Sequence, residues 1–413
     1  MIRHDDLARH LYAQISALPT VDAHEHLHAE EMRVERQVDI FLLFHQYLCT
    51  QLAAAGMPEE QADALGDETT PLDEKWASLA PYLDHVRHTG CARPAFEALQ
   101  RFFDEDDLNA DNYERLTERM REHNRPGLFD RYLREACGIV MVLNQNRTMW
   151  QNDWFRPILP EDYFLCSEGL ADVQRLAQWA NEDVPPTLER FLKTMEKVVT
   201  QRAREGMIGV KGFCYPHILS DAEIARAAYA SMLAEHERPH QRRAFVDYVR
   251  DQLYAICGEL GIVVVKHSGV WSGGWSDHSN IRPTNIFSEA CMHRQTRFDL
   301  FHAGTPNPGD AALIARGLPN VWLNLCWSHL ISPAQSVQAL DTWLDEVPVN
   351  KIISFGGDYW WAVENVYGNL VMAREVIAQV LAARVREGCF SEQRAVELAG
   401  LWLHDNPREA YRV

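Results

Sequence analysis

Val21-Asp22-Ala23-His24-Glu25-His26 is the stretch on which the reading of this chain turns. It follows a short helical pattern (about Asp6 to Ala17) and has the character of a first β-strand, Thr20 to Ala23, running into a polar end. Strand side chains alternate between two faces, so His24 and His26 are expected on one side and Glu25 on the other. Two neutral imidazoles on a common face make half of a zinc-type site. Asp22 is a candidate partner for the second N–H of a ligating imidazole, although the same alternation points it to the side of His24 and His26. A His-x-His triplet arises easily by chance, so its weight comes from what recurs downstream.

Downstream, the pattern becomes one of short apolar runs separated by helices. The expected strands are Gly138 to Leu143, Phe155 to Leu159, Met207 to Phe213, Ile262 to His267, Phe298 to His302, Val321 to Leu325 and Lys351 to Asp358. Helical periodicity fills Thr187 to Arg204, Arg242 to Leu260 and Ala334 to Leu344. Strands alternating with helices imply parallel pairing, and eight such units close into a (β/α)8 TIM barrel of the α/β class. Residues 29–135 contain no convincing strand. Leu79, Tyr82 and Leu83, then Phe96, Leu99, Phe102 and Phe103, repeat at helical spacing there. We read this stretch as a helical insertion after the first strand, serving as a lid over the site or as a stabilising cap. With no repeat and no linker, residues 1–413 read as one domain.

Composition narrows the partners. The 413 residues carry 59 acidic against 40 basic side chains, a net charge of −19, which opposes a nucleic-acid or anionic-membrane partner. Hydrophobic content of 46% is that of a globular protein, and no apolar run approaches a membrane span. The opening Met1-Ile2-Arg3-His4-Asp5-Asp6 lacks a signal peptide's apolar core. Nine cysteines, none in a Cys-x-x-Cys pair, read as buried thiols of a cytoplasmic protein. Phosphate-binding glycine loops and the Gly-x-Ser-x-Gly elbow are absent, which sets aside nucleotide and serine-hydrolase chemistry. The expected partner is a small molecule, and a homo-oligomer is compatible with the sequence.

Six polar residues fall at or near the carboxyl ends of the expected strands, the rim where barrel enzymes place their chemistry: His24, His26, Lys211, His267, His302 and Asp358. Each has an ordinary structural explanation, such as a helix cap for Asp358 or a snorkelling Lys211. Six together in strand order are harder to explain that way. Aromatic residues follow two of them: Trp271 and Trp275 after His267, and Tyr359, Trp360 and Trp361 after Asp358. They suggest pocket walls for a flat or sugar-like ligand, with lid packing the equal alternative. Arg282 is the candidate clamp for an anionic group, because guanidinium pairs bidentately with carboxylate. His28, His217 and His329 read as bystanders.

This order of motifs resembles the amidohydrolase superfamily, in particular its amidohydrolase-2 branch, which lies near the uronate isomerases. The matching pieces are Val21 to His26, Gly209-Val210-Lys211, His267-Ser268-Gly269, Phe301-His302-Ala303-Gly304-Thr305-Pro306, Phe355-Gly356-Gly357-Asp358 and the tail Trp402 to Pro407. The resemblance implies that His24, His26, His267 and Asp358 hold a divalent metal, most simply zinc. It further implies that Asp358 moves the proton of the attacking water. His302 would bind a second ion or polarise the substrate, and Lys211 would be carboxylated between two metals or bind substrate as an ammonium. One ion and two both remain open.

Uronate isomerases generally lack the strand-five histidine, whereas His267 is present here. On that ground the expected activity is metal-dependent hydrolysis of an amide, ester or lactone in a small carboxylated metabolite. The alternatives are a decarboxylase or sugar-acid isomerase on the same metal, and a non-catalytic metal-binding barrel. Bound zinc lowers the pKa of its water to about 7, which suits hydrolysis, but the same Lewis acid serves the other reactions.

Overall fold

The protein, in a computed structural model, is described over residues 5–218, 221–235 and 239–413. Its strands are β1 (Thr20–Glu25), β2 (Ile139–Gln145), β3 (Phe155–Pro160), β4 (Gly209–Phe213), β5 (Val263–His267), β6 (Arg297–Phe301), β7 (Val321–Asn324) and β8 (Ile352–Ile353). They follow chain order in one eight-stranded sheet. Pairing is parallel, as β1 with β2 and β3 through β7 in sequence show. With helices between the strands, this is the (β/α)8 barrel fold. The strands read as nearly continuous apolar runs because both faces of a parallel sheet are covered; every residue of β5 is buried.

Helix boundaries follow local capping chemistry. Thr187 accepts the Arg190 N–H at 3.3 Å and starts helix Leu188–Arg204. Ser332 accepts from Gln335 at 3.2 Å, with Pro333 at the first helical position of Pro333–Glu346. β8 departs most from expectation, being two residues where eight were anticipated. Past Ile353 the chain leaves the ladder. Ser354 donates to the carbonyl of Trp402 at 3.2 Å, Phe355 accepts from Ala23 at 3.2 Å, and Asp358 donates to His24 at 2.9 Å.

The chain divides into two compact units. The first comprises Met1–Asn144, Val270–His278 and Asn324–Pro407. Between β1 and β2 it carries helices Glu30–Glu35, Tyr47–Ala54, Glu59–Ala64, Leu72–Val86, Arg93–Phe103 and Tyr113–His123. Leu79, Leu83, Leu99 and Phe103 are buried within this region. Helix Arg93–Phe103 packs on the long helix Val363–Arg386, where Gly368 lets Pro94 approach so closely that a Cβ would collide with its backbone. A buried Arg33–Glu364 pair at 2.9 Å and the Arg33 bond to the Trp361 carbonyl at 2.8 Å tie helix Glu30–Glu35 to the segment after β8.

The second unit comprises Gln145–Gly269, Ser279–Leu323 and Arg408–Val413. Behind its strands lies a buried polar chain in which Lys266 donates to the Tyr254 hydroxyl at 2.7 Å and Tyr254 to Glu161 at 2.8 Å. Of the nine cysteines, none of which forms a disulfide, five are buried and Cys389 is exposed, so they are not uniformly interior thiols. Among the described residues no helix is long and apolar enough to cross a membrane.

Candidate metal centre

In the first unit, β1 and the segment after β8 bring three donors to one point. His24 Nε2 and His26 Nε2 stand 3.3 Å apart, and Asp358 Oδ1 lies 3.3 Å from the former and 3.1 Å from the latter. Nitrogen and oxygen ligands at about 2.0–2.2 Å from a common cation are separated by about 3.0–3.4 Å. The donor set therefore fits a divalent ion without rearrangement. His24 and Asp358 are buried, whereas the His26 side chain keeps 24% of its surface exposed, so the cluster has an accessible side. Three protein donors with an open side leave a coordination position for water or substrate, as a catalytic metal site needs.

Asp358 owes its position to the backbone. Its φ of 69° is left-handed, a region that aspartate tolerates better than most residues. Its N–H bonds His24, and its carbonyl accepts from Gln46 Nε2 at 3.0 Å and from the Tyr47 hydroxyl. Gln46 also accepts the Trp360 N–H at 3.1 Å. Sequence reading missed Gln46 and Tyr47. The available signal was the wholly buried run Ile40–Phe44 ending just before them, which marks a segment anchored in the interior.

Beneath the donors lies a pair of buried carboxyl groups. Asp22 Oδ1 accepts from the Gly357 N–H at 3.1 Å and the His24 N–H at 3.2 Å, and Glu25 Oε2 accepts from the Tyr359 N–H at 2.6 Å. Burial pushes Asp22 up to about 7 and, with the neighbouring Asp22 charge, Glu25 well above the carboxylate range. Burial and the neighbouring like charge both favour the protonated carboxyl form. Only glycine fits at 357, because a Cβ would run into the Glu25 carboxyl group. The expected strict alternation along β1 therefore holds for His24 and His26 but not for Asp22 and Glu25. The strand's register shifts between Asp22 and Glu25, and the two carboxyl groups meet instead of diverging.

The aromatic candidates of this unit differ in setting. Tyr359 is buried and packs edge-on to Tyr47, with ring centroids 5.6 Å apart. Trp360 is half exposed, its ring 6.3 Å from that of His26. Trp271 is partly exposed, with its N–H bonded to His278 at 3.2 Å. Trp275 is almost wholly exposed, with its indole donating to Glu59 at 2.8 Å.

In the second unit, His302 Nε2 meets His267 Nδ1 at 3.0 Å, both residues being buried. His302 lies just past β6 in a left-handed conformation, φ 65°. Lys211, in β4, sets its ammonium 5.4 Å from the Phe301 ring centroid. Arg282 is exposed and pairs with Asp310 at 2.8 Å. His217 and His293 both bond Asp251, each at 3.1 Å to Oδ1.

Residues 165–413, more than half of the chain, match the amidohydrolase family. The chain belongs to that family. Amidohydrolase-fold proteins are metal-dependent enzymes, in keeping with the His24–His26–Asp358 cluster. No curated protein matches the chain in sequence. Among solved structures, this amidohydrolase is similar to a uronate isomerase from Thermotoga maritima, with a TM-score of 0.84 at 17% identity over 98% of this chain and 97% of that one. It is similar to a glucuronate isomerase from Caulobacter crescentus, with a TM-score of 0.77 at 17% identity over 99% and 95% of the two chains. A uronate isomerase from Bacillus halodurans C-125 follows at 0.73 and 16%, over 98% and 96%.

These three neighbours overturn the hydrolytic expectation: each shares the fold over nearly its whole length and is a uronate or glucuronate isomerase. The expectation had leaned on the presence of His267. The donor types of a metal site establish an electrophilic centre, not the bond that it acts on, and a single histidine was too slight a ground for choosing hydrolysis.

Proposed function

We propose that this amidohydrolase is a sugar-acid isomerase that interconverts the aldose and ketose forms of a uronate, with a divalent cation, zinc in the first instance, held by His24, His26 and Asp358. The observation that carries the reading is the full-length likeness to three uronate isomerases, on a chain whose donor cluster suits a catalytic ion. When bound, the cation supplies Lewis-acid polarisation of a carbonyl or hydroxyl oxygen.

Aldose–ketose conversion moves one proton from carbon 2 to carbon 1 and another from the carbon-2 hydroxyl to the carbon-1 oxygen, with no water consumed. Asp358 is assigned the carbon-bound proton. Its backbone is pinned at both N–H and carbonyl, so its carboxylate can remove and return a proton without reorganising. His302 is assigned the oxygen-bound proton, from its place just past β6. Lys211 and Arg282 match the charge of the substrate carboxylate, and Arg282 would exchange its bond to Asp310 for it. Trp360 offers a flat exposed face for the sugar ring. His267 is retained as a metal ligand on the strength of its position in the family.

The test is proton NMR of a panel of hexuronates incubated with metal-loaded enzyme in deuterated water. Ketose resonances should appear for at least one member and vanish with Asp358→Asn. Metal-loaded protein that forms no ketose from any hexuronate, yet hydrolyses or decarboxylates another carboxylated substrate, overturns the reading.

A further inference from the structure

A second group of ligand-type side chains meets elsewhere in the first unit. His45 follows the buried turn Ile40–Phe44, Cys49 lies in helix Tyr47–Ala54 and Asp63 in helix Glu59–Ala64. One donor atom from each lies within 4.8 Å of the other two. We propose that His45, Cys49 and Asp63 bind a zinc ion, water completing the tetrahedron, and that this ion staples the turn carrying Gln46 and Tyr47 to the following helices.

The donor chemistry is selective. Thiolate, imidazole and carboxylate together suit zinc, whereas magnesium and calcium take oxygen alone. A thiolate and a carboxylate cancel the charge of the ion, so the half-buried site is neutral when filled. Ligand atoms around zinc stand about 3.3–3.8 Å apart, so each pair must close by about 1.5 Å at most. Side-chain rotation of the exposed Asp63 and the half-buried Cys49 supplies that.

The imidazole is held in place already. Gly66 seats its backbone against the ring, where a Cβ would stand 2.6 Å from Cε1 and 2.7 Å from both nitrogens. Cys49 Sγ points at the carbonyl of Ala62, 3.3 Å away and next to Asp63. Neighbouring cations are engaged elsewhere. Arg36 pairs with Glu68 at 2.9 Å, and Lys75 with Asp39 at 2.6 Å.

Protonation adds a consequence. Burial pushes the Cys49 thiol up to about 12, with the Asp63 charge adding to it, and burial lowers His45. Without a cation the group is a neutral thiol and a neutral imidazole; zinc uptake therefore releases the thiol proton and strengthens as pH rises. Gln46 stands between His45 and Tyr47 with φ 66°, so an ion on His45 braces the residues that hold the Asp358 carbonyl. This zinc site is independent of the reaction assigned to the enzyme.

Three readouts on the full chain test it. Zinc-reconstituted Asp63→Asn and Cys49→Ala should each carry one equivalent fewer than wild type, while His24→Ala loses a different one. Cobalt(II)-substituted protein should show a near-ultraviolet thiolate-to-cobalt band that survives His24→Ala and disappears in Cys49→Ala. Should Cys49→Ala fail to fold, alkylation of wild-type Cys49, followed by peptide mass spectrometry, decides alone: slow with zinc bound, fast once a chelator is added. Equal zinc content in wild type and Asp63→Asn, with alkylation indifferent to the chelator, overturns the proposal.

Discussion

Two clusters in this protein have the same composition, two histidines and an aspartate, and opposite character. In the first unit, His24, His26 and Asp358 aim their donors at one another within 3.1–3.3 Å, imidazole against imidazole as well as against carboxylate. In the second, His217 and His293 each address the carboxylate of Asp251. Burial alone would raise Asp251, but the hydrogen bonds from both imidazoles outweigh it and hold the acid at about 2. The Asp251 hydrogen bond raises His217 in turn. Donors that converge on one point suit a metal cation, whereas two imidazoles directed at one carboxylate satisfy it through hydrogen bonds. Residue types cannot separate the two cases, but the direction of each ring nitrogen can.

The largest expected effect falls on the first cluster. His24→Ala and His26→Ala should lower metal affinity by more than the roughly 10–100-fold that follows loss of a mere supporting partner. Metal analysis after gel filtration reads this directly, and full retention in either variant would strike that residue from the ligands. The matching change in the second cluster, Asp251→Asn, should leave metal content untouched and cost about 1–3 kcal/mol in chemical denaturation. Metal loss in that variant would dissolve the distinction.

Tyr47→Phe sharpens the comparison from the side. It removes one of two side-chain bonds to the Asp358 carbonyl, leaving Gln46 in place. The stability cost should be about 1 kcal/mol. Metal affinity should fall about tenfold, as for an orienting partner. An unchanged metal dissociation constant would mean that strand geometry alone orients Asp358.

The smallest effect is a pH dependence of stability. Asp251 drops from an ordinary 3.8 to about 2 on folding, so its contribution is present above 3.8 and lost as pH falls toward 2. His217 is raised above 6.5, so its contribution is full below 6.5 and lost as pH rises through the higher value. The stabilisation by this cluster is therefore greatest between the two ordinary values. Wild type and Asp251→Asn, unfolded in parallel across pH 2–8, should differ most there; a constant difference across that range would refute the linkage.

Much of the fold was legible in the chain because its signals are local. Seven strands fall within two residues of their expected ends, since apolar runs and capping residues act over a few positions. β8 was overread because Ser354 to Asp358 looks like a strand in sequence, yet its hydrogen bonds go to β1 and to Trp402. At the site, His24 and His26 were readable from two-residue spacing. Asp22 and Glu25 were not, because a register shift defeats that spacing. The contact of Gln46 and Tyr47 with Asp358 was invisible for a different reason: they reach it across 312 and 311 residues of chain.

Periodicity and short-range capping thus determined the eight alternating units and the pairing of His24 with His26, since these depend on neighbours along the chain. The meeting of Asp358 with those imidazoles, the approach of Asp22 to Glu25, the clamp from Gln46 and Tyr47, and the gathering of His45, Cys49 and Asp63 were decided by tertiary structure alone. Each depends on groups distant in sequence, which only packing and long-range hydrogen bonds bring within reach.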